Sequence, residues 1–222
     1  MSKEIVLSLK DVSYRYKDAA KDEYVLKNIN YEFEKSKIYA IKGKSGSGKT
    51  TLLSLISGLE KKYNGDIIYK DKKLSKMNLD NYRSNDVGIV FQSYNLLPHL
   101  TALENIILSM DISKVKVKNK KELALNLMEQ VGLSQNMANR RILKLSGGEQ
   151  QRIAIARSLS YDPEIILADE PTGNLDHETE NEIIKIFKNL AHKNNKCVII
   201  VTHSDNVCNL VDKIYELKKK NK

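Results

Sequence analysis

The run Gly43-Lys44-Ser45-Gly46-Ser47-Gly48-Lys49-Thr50 matches the pattern G-x-x-x-x-G-K-[ST], and each part of it answers a need of phosphate binding. Glycines let the backbone bend so that successive N–H groups converge on phosphate oxygens. A helix starting at Lys49 adds its positive end and its unsatisfied donors. Lys49 brings a point charge to the β- and γ-phosphates, Thr50 offers a hydroxyl to Mg²⁺, and Thr51 extends the same turn. A bare Gly/Ser turn would not need an apolar run before it and a helical pattern after it, and both are present. A second constellation is Asp169-Glu170, two carboxylates closing the apolar run 165–168. At a strand's carboxyl end, Asp169 is positioned for Mg²⁺ and Glu170 for orienting and deprotonating an attacking water. Taken alone, such a pair also caps an ordinary turn; beside a phosphate loop it reads as half of a hydrolytic site.

The elements that must position these groups follow from periodicity. Residues 4–16, 24–33 and 37–43 read as strands, the last leading straight into the phosphate loop. A helix runs from Lys49 to about Ser57 and stops at Gly58, and 65–74 reads as a hairpin strand. The segments 86–92, 163–170 and 196–203 are short apolar runs suited to buried parallel strands. Between about 93 and 160 the pattern is helical, and a further helix at 177–193 sets Ile183, Ile184, Phe187 and Leu190 on one face as core. The order predicts an α/β fold, a mostly parallel sheet covered on both faces with a helical insertion.

LSGGEQQR (145–152) narrows the choice among phosphate-loop proteins. Followed by DEPT (169–172), GNLD (173–176) and VTH (201–203), it resembles the ABC ATPase family along nearly the whole chain. Together, IILADEPTGNLD and GIVFQSYNLLPHLTALENI resemble the MacB/LolD-type branch, with similarity to Gram-positive ATPases of Vex-like exporters. The resemblance implies a P-loop NTPase fold: an ABC-type nucleotide-binding domain spanning 1–222, with a mixed and parallel sheet core. In it, 1–92 and 160–222 form a RecA-like core with N-terminal antiparallel strands, and 93–159 the inserted helical subdomain that carries the signature.

It also implies roles. Tyr16 would stack on adenine, with Tyr14, on the same strand face, as rival. Gln92 would reach Mg²⁺ and the attacking water while linking to a permease. Ser146, Gly147 and Gly148 would bind the γ-phosphate of nucleotide held by a second subunit, and their place at a helix start is independently an incomplete anion site. Asp176 would communicate between the two sites, and His203 would sense the γ-phosphate and hold Glu170 in place. Glu170, His203, Gln92 and Lys49 are thus the expected catalytic set, and Thr50, Gln92 and Asp169 the expected Mg²⁺ set. ATP and Mg²⁺ are the implied ligands. A second copy in a head-to-tail ATP sandwich and an integral-membrane permease of MacB/FtsX type are the implied partners. The implied location is cytoplasmic, peripheral at the inner face of the membrane through the permease.

Composition is compatible with this reading. The 222 residues carry 37 Lys+Arg against 28 Asp+Glu, a formal charge of +9, with the lysines read as scattered apart from a cluster at 218–222. Sparse aromatics do not interleave with that cluster as a single-strand groove requires, and no nucleic-acid partner is expected. Cys197 and Cys208 fall on a strand and a helix and read as reduced thiols. His99, His177 and His192 match no role and are expected at the surface. Three departures from the family stand out. Ser36-Lys37 replaces the glycine before the phosphate-loop strand, the segment between Met110 and Lys121 is short, and the usual Asp-Gly hairpin after His203 is missing. No regulatory C-terminal domain is expected. Rival readings are the ATPase of an FtsEX-like signalling or cell-wall complex, and a soluble ABC ATPase acting on nucleic acid or the ribosome. The latter lacks the expected coiled-coil insertion or second domain.

Overall fold

The computed structural model describes residues 4–17 and 23–218. Two sheets form. Strands β1 (Ile5–Tyr14), β2 (Leu26–Glu34), β4 (Asn64–Tyr69) and β5 (Lys72–Lys73) make an antiparallel sheet in the order β2-β1-β4-β5. Strands β3 (Ile38–Lys42), β6 (Val87–Phe91), β7 (Ile165–Asp169), β8 (Cys197–Thr202) and β9 (Lys213–Glu216) make a parallel one in the order β6-β7-β8-β3-β9. The fold is thus the α/β architecture expected, with antiparallel and parallel strands in separate sheets.

Strands β3, β6, β7 and β8 are largely apolar on both faces because both are covered. Ile165, Leu167, Ile199 and Val201 face a core shared with the antiparallel sheet and helix α1 (Lys49–Ile56). Their neighbours Ile166, Ala168, Val198 and Ile200 face a second core built with helices α3 (Ala102–Ile112), α4 (Lys120–Gln130), α5 (Gly147–Ser158) and α6 (His177–His192). Period-2 alternation sends successive residues of one strand to opposite cores. Ile183, Ile184, Phe187 and Leu190 are fully buried in the second core, as their spacing predicts.

Three short elements escape the periodicity reading. Helix α2 (Leu79–Asn85) buries only Tyr82, and α7 (Asp205–Asn209) buries only Val207 and Cys208, too few positions to set a period. Strand β9 owes its place to side chains far off in sequence. Tyr215 stacks on Tyr31 with centroids 4.1 Å apart, and its hydroxyl donates to the Glu32 carbonyl at 2.7 Å. His192 is more than a surface residue, since its Nε2 lies 2.9 Å from Asp212 Oδ2 while the same oxygen accepts from the Ile38 amide at 2.9 Å. His99 and His177 are exposed. Of the basic C-terminal cluster, residues 219–222 lie outside the described residues.

The altered turn at Ser36 has a physical cost. Its φ is 59°, the left-handed region where a side chain is disfavoured by about 1–2 kcal/mol. A hydrogen bond from Ser36 Oγ to Asn195 Oδ1 at 2.9 Å is exposed and offsets little of it. Ser36→Gly is therefore expected to raise the unfolding free energy by about 0.5–1 kcal/mol, net of glycine's extra chain entropy. Urea unfolding checks this; a lower midpoint would mean that the hydroxyl bond outweighs the backbone relief.

Candidate functional site

The four neighbouring parallel strands β6, β7, β8 and β3 all end at the same edge, where ligands sit in open α/β sheets. Each ends in one of the residues singled out. The phosphate loop follows β3, Gln92 follows β6, Asp169 ends β7 with Glu170 next, and His203 follows β8. A cavity of about 730 Å³ opens there, lined by Tyr16, Val25, Lys44, Ser45, Gly46, Gly48, Lys49, Thr50, Thr51, Gln92, Glu170 and His203.

The loop has the shape that phosphate binding needs. Gly46 and Gly48 have φ of 74° and 94°, and Gly48 caps α1 without a side chain of its own. A Cβ on Gly48 would lie 3.0 Å from both Val25 and Leu26, so the close approach also excludes other residues. Ser47 is buried behind the loop with Gly43, where a Cβ would meet Ser47 Oγ at 2.3 Å. Lys49 Nζ donates to the Gly43 and Lys44 carbonyls at 2.8 and 3.3 Å, and lies 3.5 Å from Glu170 Oε1. Its charge thus sits inside the curl of the loop, where phosphate oxygens would replace those carbonyls.

Glu170 is held in an uncommon backbone conformation, φ 45°, at the sharp exit from β7. Its amide donates to Val201 O at 2.9 Å and its carbonyl accepts from Gly173 N at 3.1 Å. Its carboxylate Oε2 lies 3.0 Å from His203 Nδ1 and accepts from the His203 amide at 3.2 Å. A carboxylate between a lysine and a histidine, in a cleft, can orient a water and take its proton.

Two oxygens suit a hard cation. Thr50 Oγ1 and Asp169 Oδ1 are 3.5 Å apart, and burial pushes the Asp169 carboxyl up, with the Thr50 hydroxyl and Lys49 acting against it. A divalent cation would relieve that buried charge. Two oxygens with room for waters and substrate phosphates fit Mg²⁺, which seldom takes an all-protein cage.

Tyr14 and Tyr16 part company. Their rings meet edge to face at 5.2 Å, but Tyr14 is 7% exposed, with its hydroxyl 3.3 Å from Glu60 Oε2. Tyr16 is 54% exposed, lines the cavity, and its hydroxyl is 3.1 Å from Thr51 Oγ1. Sequence reasoning passed over Asn174, which exchanges bonds with Gln92 at 3.3 and 3.4 Å, and Val25, which walls the cavity. Asn174 stands in the quoted GNLD run, while nothing in the sequence marks Val25.

Ser146, Gly147, Gly148 and Asp176 do not line this cavity. Ser146 caps α5 in a reciprocal box with Glu149, and Asp176 caps α6 by accepting from the Thr179 amide at 2.9 Å.

The sequence matches the ABC transporter family over residues 26–173. The chain belongs to the ABC transporter family. It is 46% identical to the uncharacterized ABC transporter ATP-binding protein YclH of Bacillus subtilis, over 93% of this chain and 91% of YclH. It is 42% identical to the lipoprotein-releasing system ATP-binding protein LolD of Rickettsia felis, over 96% of this chain and 95% of LolD. Among solved structures it is similar to the dimeric bacterial ABC transporter cassette MJ0796, with a TM-score of 0.85 and 38% identity over 96% of this chain and 94% of that one. A post-hydrolysis dimer of that cassette, bound to ADP and Pi, gives a TM-score of 0.86 at 36% identity over 97% of each chain. This ABC subunit is an ATPase, the motor of a transporter, with ATP as substrate and Mg²⁺ as its cation.

Proposed function

We propose that two copies of the chain close head to tail around two ATP, each site joining the phosphate loop of one copy to Ser146, Gly147 and Gly148 of the other. The observation that carries this is that Lys49, Gln92, Glu170 and His203 line one cavity, while the N-terminal turn of α5 lies outside it. An isolated chain therefore has two incomplete anion sites, and two copies complete both.

In this reading Tyr16 stacks on adenine, and the backbone of residues 43–48 with Lys49, Thr50 and Thr51 holds the phosphates. Thr50, Asp169 and Gln92 would hold Mg²⁺, which would supply positive charge to offset the negative charge developing on the phosphates. Glu170 takes a proton from the attacking water and His203 keeps its carboxylate aligned while contacting the γ-phosphate. Lys49 balances the growing negative charge. Loss of the γ-phosphate removes the link to the opposing helix and the pair reopens. Asp176, at the α6 cap, passes the state of one site to the other. The segment 93–159 forms the lobe that meets the permease and 1–92 with 160–222 the core, in one domain.

The permease is of MacB/FtsX type, and the subunit works at the cytoplasmic face of the membrane through it. The similarity to proteins named as lipoprotein-releasing ATPases supports that branch. Co-expression with a permease of that type tests it; failure to co-purify, with either nucleotide, would contradict the branch but not the ATPase.

ATP turnover tests the site itself. Tyr16→Ala should raise KM for ATP by about tenfold with kcat little changed, since base stacking on an aromatic ring is worth about 1–3 kcal/mol. Tyr14→Phe should leave KM unchanged. The reverse pattern would hand the adenine to Tyr14.

A further inference from the structure

The turn between α3 and α4 carries five lysines within eight consecutive residues, a grouping that the reading of the lysines as scattered passed over. Lys114, Lys116, Lys118, Lys120 and Lys121 fall within residues 114–121, and Val115 and Val117 alternate with the first three. Val115 packs against the second core and its amide donates to Met110 O at 2.9 Å, which fixes the turn to the end of α3. Ile112 and Val117 are left 69% and 41% exposed among these lysines. Lys120 pairs with Asp111 at 2.5 Å, while Lys114, Lys116, Lys118 and Lys121 are exposed and form no ion pair among the described residues. The acid that follows, Glu122, is engaged by Asn119 at the N-terminal cap of α4.

Exposed aliphatic side chains set between unpaired lysines on a short, anchored turn fit one kind of surface well. Phosphate headgroups take the ammonium groups, and the aliphatic tips enter the boundary with the acyl chains. We propose that this turn is a contact for the headgroups of anionic phospholipids. Ile112 and Lys114 also line a groove of about 700 Å³ together with Asp80, Arg83 and Tyr161. If a permease seats on this lobe, as proposed above, the turn stands beside the protein that enters the bilayer. The proposal rests on that reading only for the direction in which the turn faces.

Co-sedimentation with vesicles tests it on the isolated subunit, with no permease present. One vesicle is phosphatidylcholine alone and the other is phosphatidylcholine mixed with phosphatidylglycerol. The subunit should bind the mixed vesicle and not the neutral one, with binding that weakens as salt rises. Each lysine near an anionic leaflet adds about fivefold to binding, so changing Lys114, Lys116, Lys118 and Lys121 together to Gln should weaken it at least about tenfold after screening. Ile112→Ser with Val117→Ser should weaken it further. A control with Lys10, Lys62, Lys72 and Lys185 changed to Gln removes the same charge elsewhere and should keep most of the binding. ATP turnover should be unchanged in both sets. Equal loss in the control would reduce the effect to net charge and overturn the proposal, as would failure of the wild type to bind mixed vesicles. It would also be overturned if the four-lysine variant kept vesicle binding but lost co-purification with the permease, because the turn would then contact protein. Failure of wild-type co-purification alone would count against the permease and leave the lipid contact standing.

Discussion

Glu170→Gln should lower ATP turnover by on the order of 10³ while leaving ATP binding and the unfolding midpoint close to wild type. The substitution preserves shape and removes only the basic oxygen. The backbone that aims this side chain is held independently, by the bonds of its amide to Val201 and of its carbonyl to Gly173. The glutamine carbonyl can still accept from His203, whose ring nitrogen and amide lie 3.0 and 3.2 Å from Oε2 in the wild type. What is lost is the negative charge 3.5 Å from Lys49 and the group able to take a proton from water. Turnover assays with nucleotide titrations check this. A variant within a fewfold of wild-type kcat would move the base elsewhere in the cavity.

Gly148→Asp should reduce hydrolysis by about a hundredfold or more without weakening ATP binding by a single chain. Gly148 lies outside the nucleotide cavity, in the first turn of α5, whose N–H groups are proposed to meet the γ-phosphate held by the opposing copy. Glu149 in the same turn is tied into the cap, its Oε2 accepting from the Ser146 amide at 2.7 Å. An added carboxylate at 148 would repel the γ-phosphate directly. Sterics must be separated from charge, because a Cβ here would lie 2.6 Å from Thr179 Cγ2. Thr179→Ser removes that methyl and keeps the hydroxyl that donates to Asp176 Oδ2 at 2.8 Å. In that background Gly148→Ala should recover turnover and Gly148→Asp should not. Recovery by both would reduce Gly148 to a packing position.

Lys49, Gln92, Glu170 and His203 were legible because each lies in or beside a short contiguous motif just past the carboxyl end of a strand, so the sequence carries both the residue types and their place. What depends on distant side chains was not. Tyr14 and Tyr16 are alike in sequence, and only Glu60 beneath one and Thr51 beside the other separate them. The bond between Gln92 and Asn174 spans 82 positions. Arg157 donates to the carbonyls of Tyr94 and Asn95, both at positive φ, and so pins the loop after Gln92 to the signature helix. No local pattern announces that clamp. Strand β9 is placed by its pairing with β3 and by the stacking of Tyr215 on Tyr31, while the lysines after α3 stand together in the sequence and were passed over as scattered. Periodicity works for long elements with one buried face and fails for α2, α7 and β9, which bury at most two side chains each.

The central claim, that two copies complete each other's ATP sites, is tested most directly by the molar mass of Glu170→Gln in solution by light scattering. With ATP it should double to a stable dimer, with ADP it should remain a monomer, and adding Gly148→Asp to the same chain should abolish the ATP-dependent dimer. A monomer under all three conditions, or a dimer indifferent to both nucleotide and Gly148, would contradict the shared-site account.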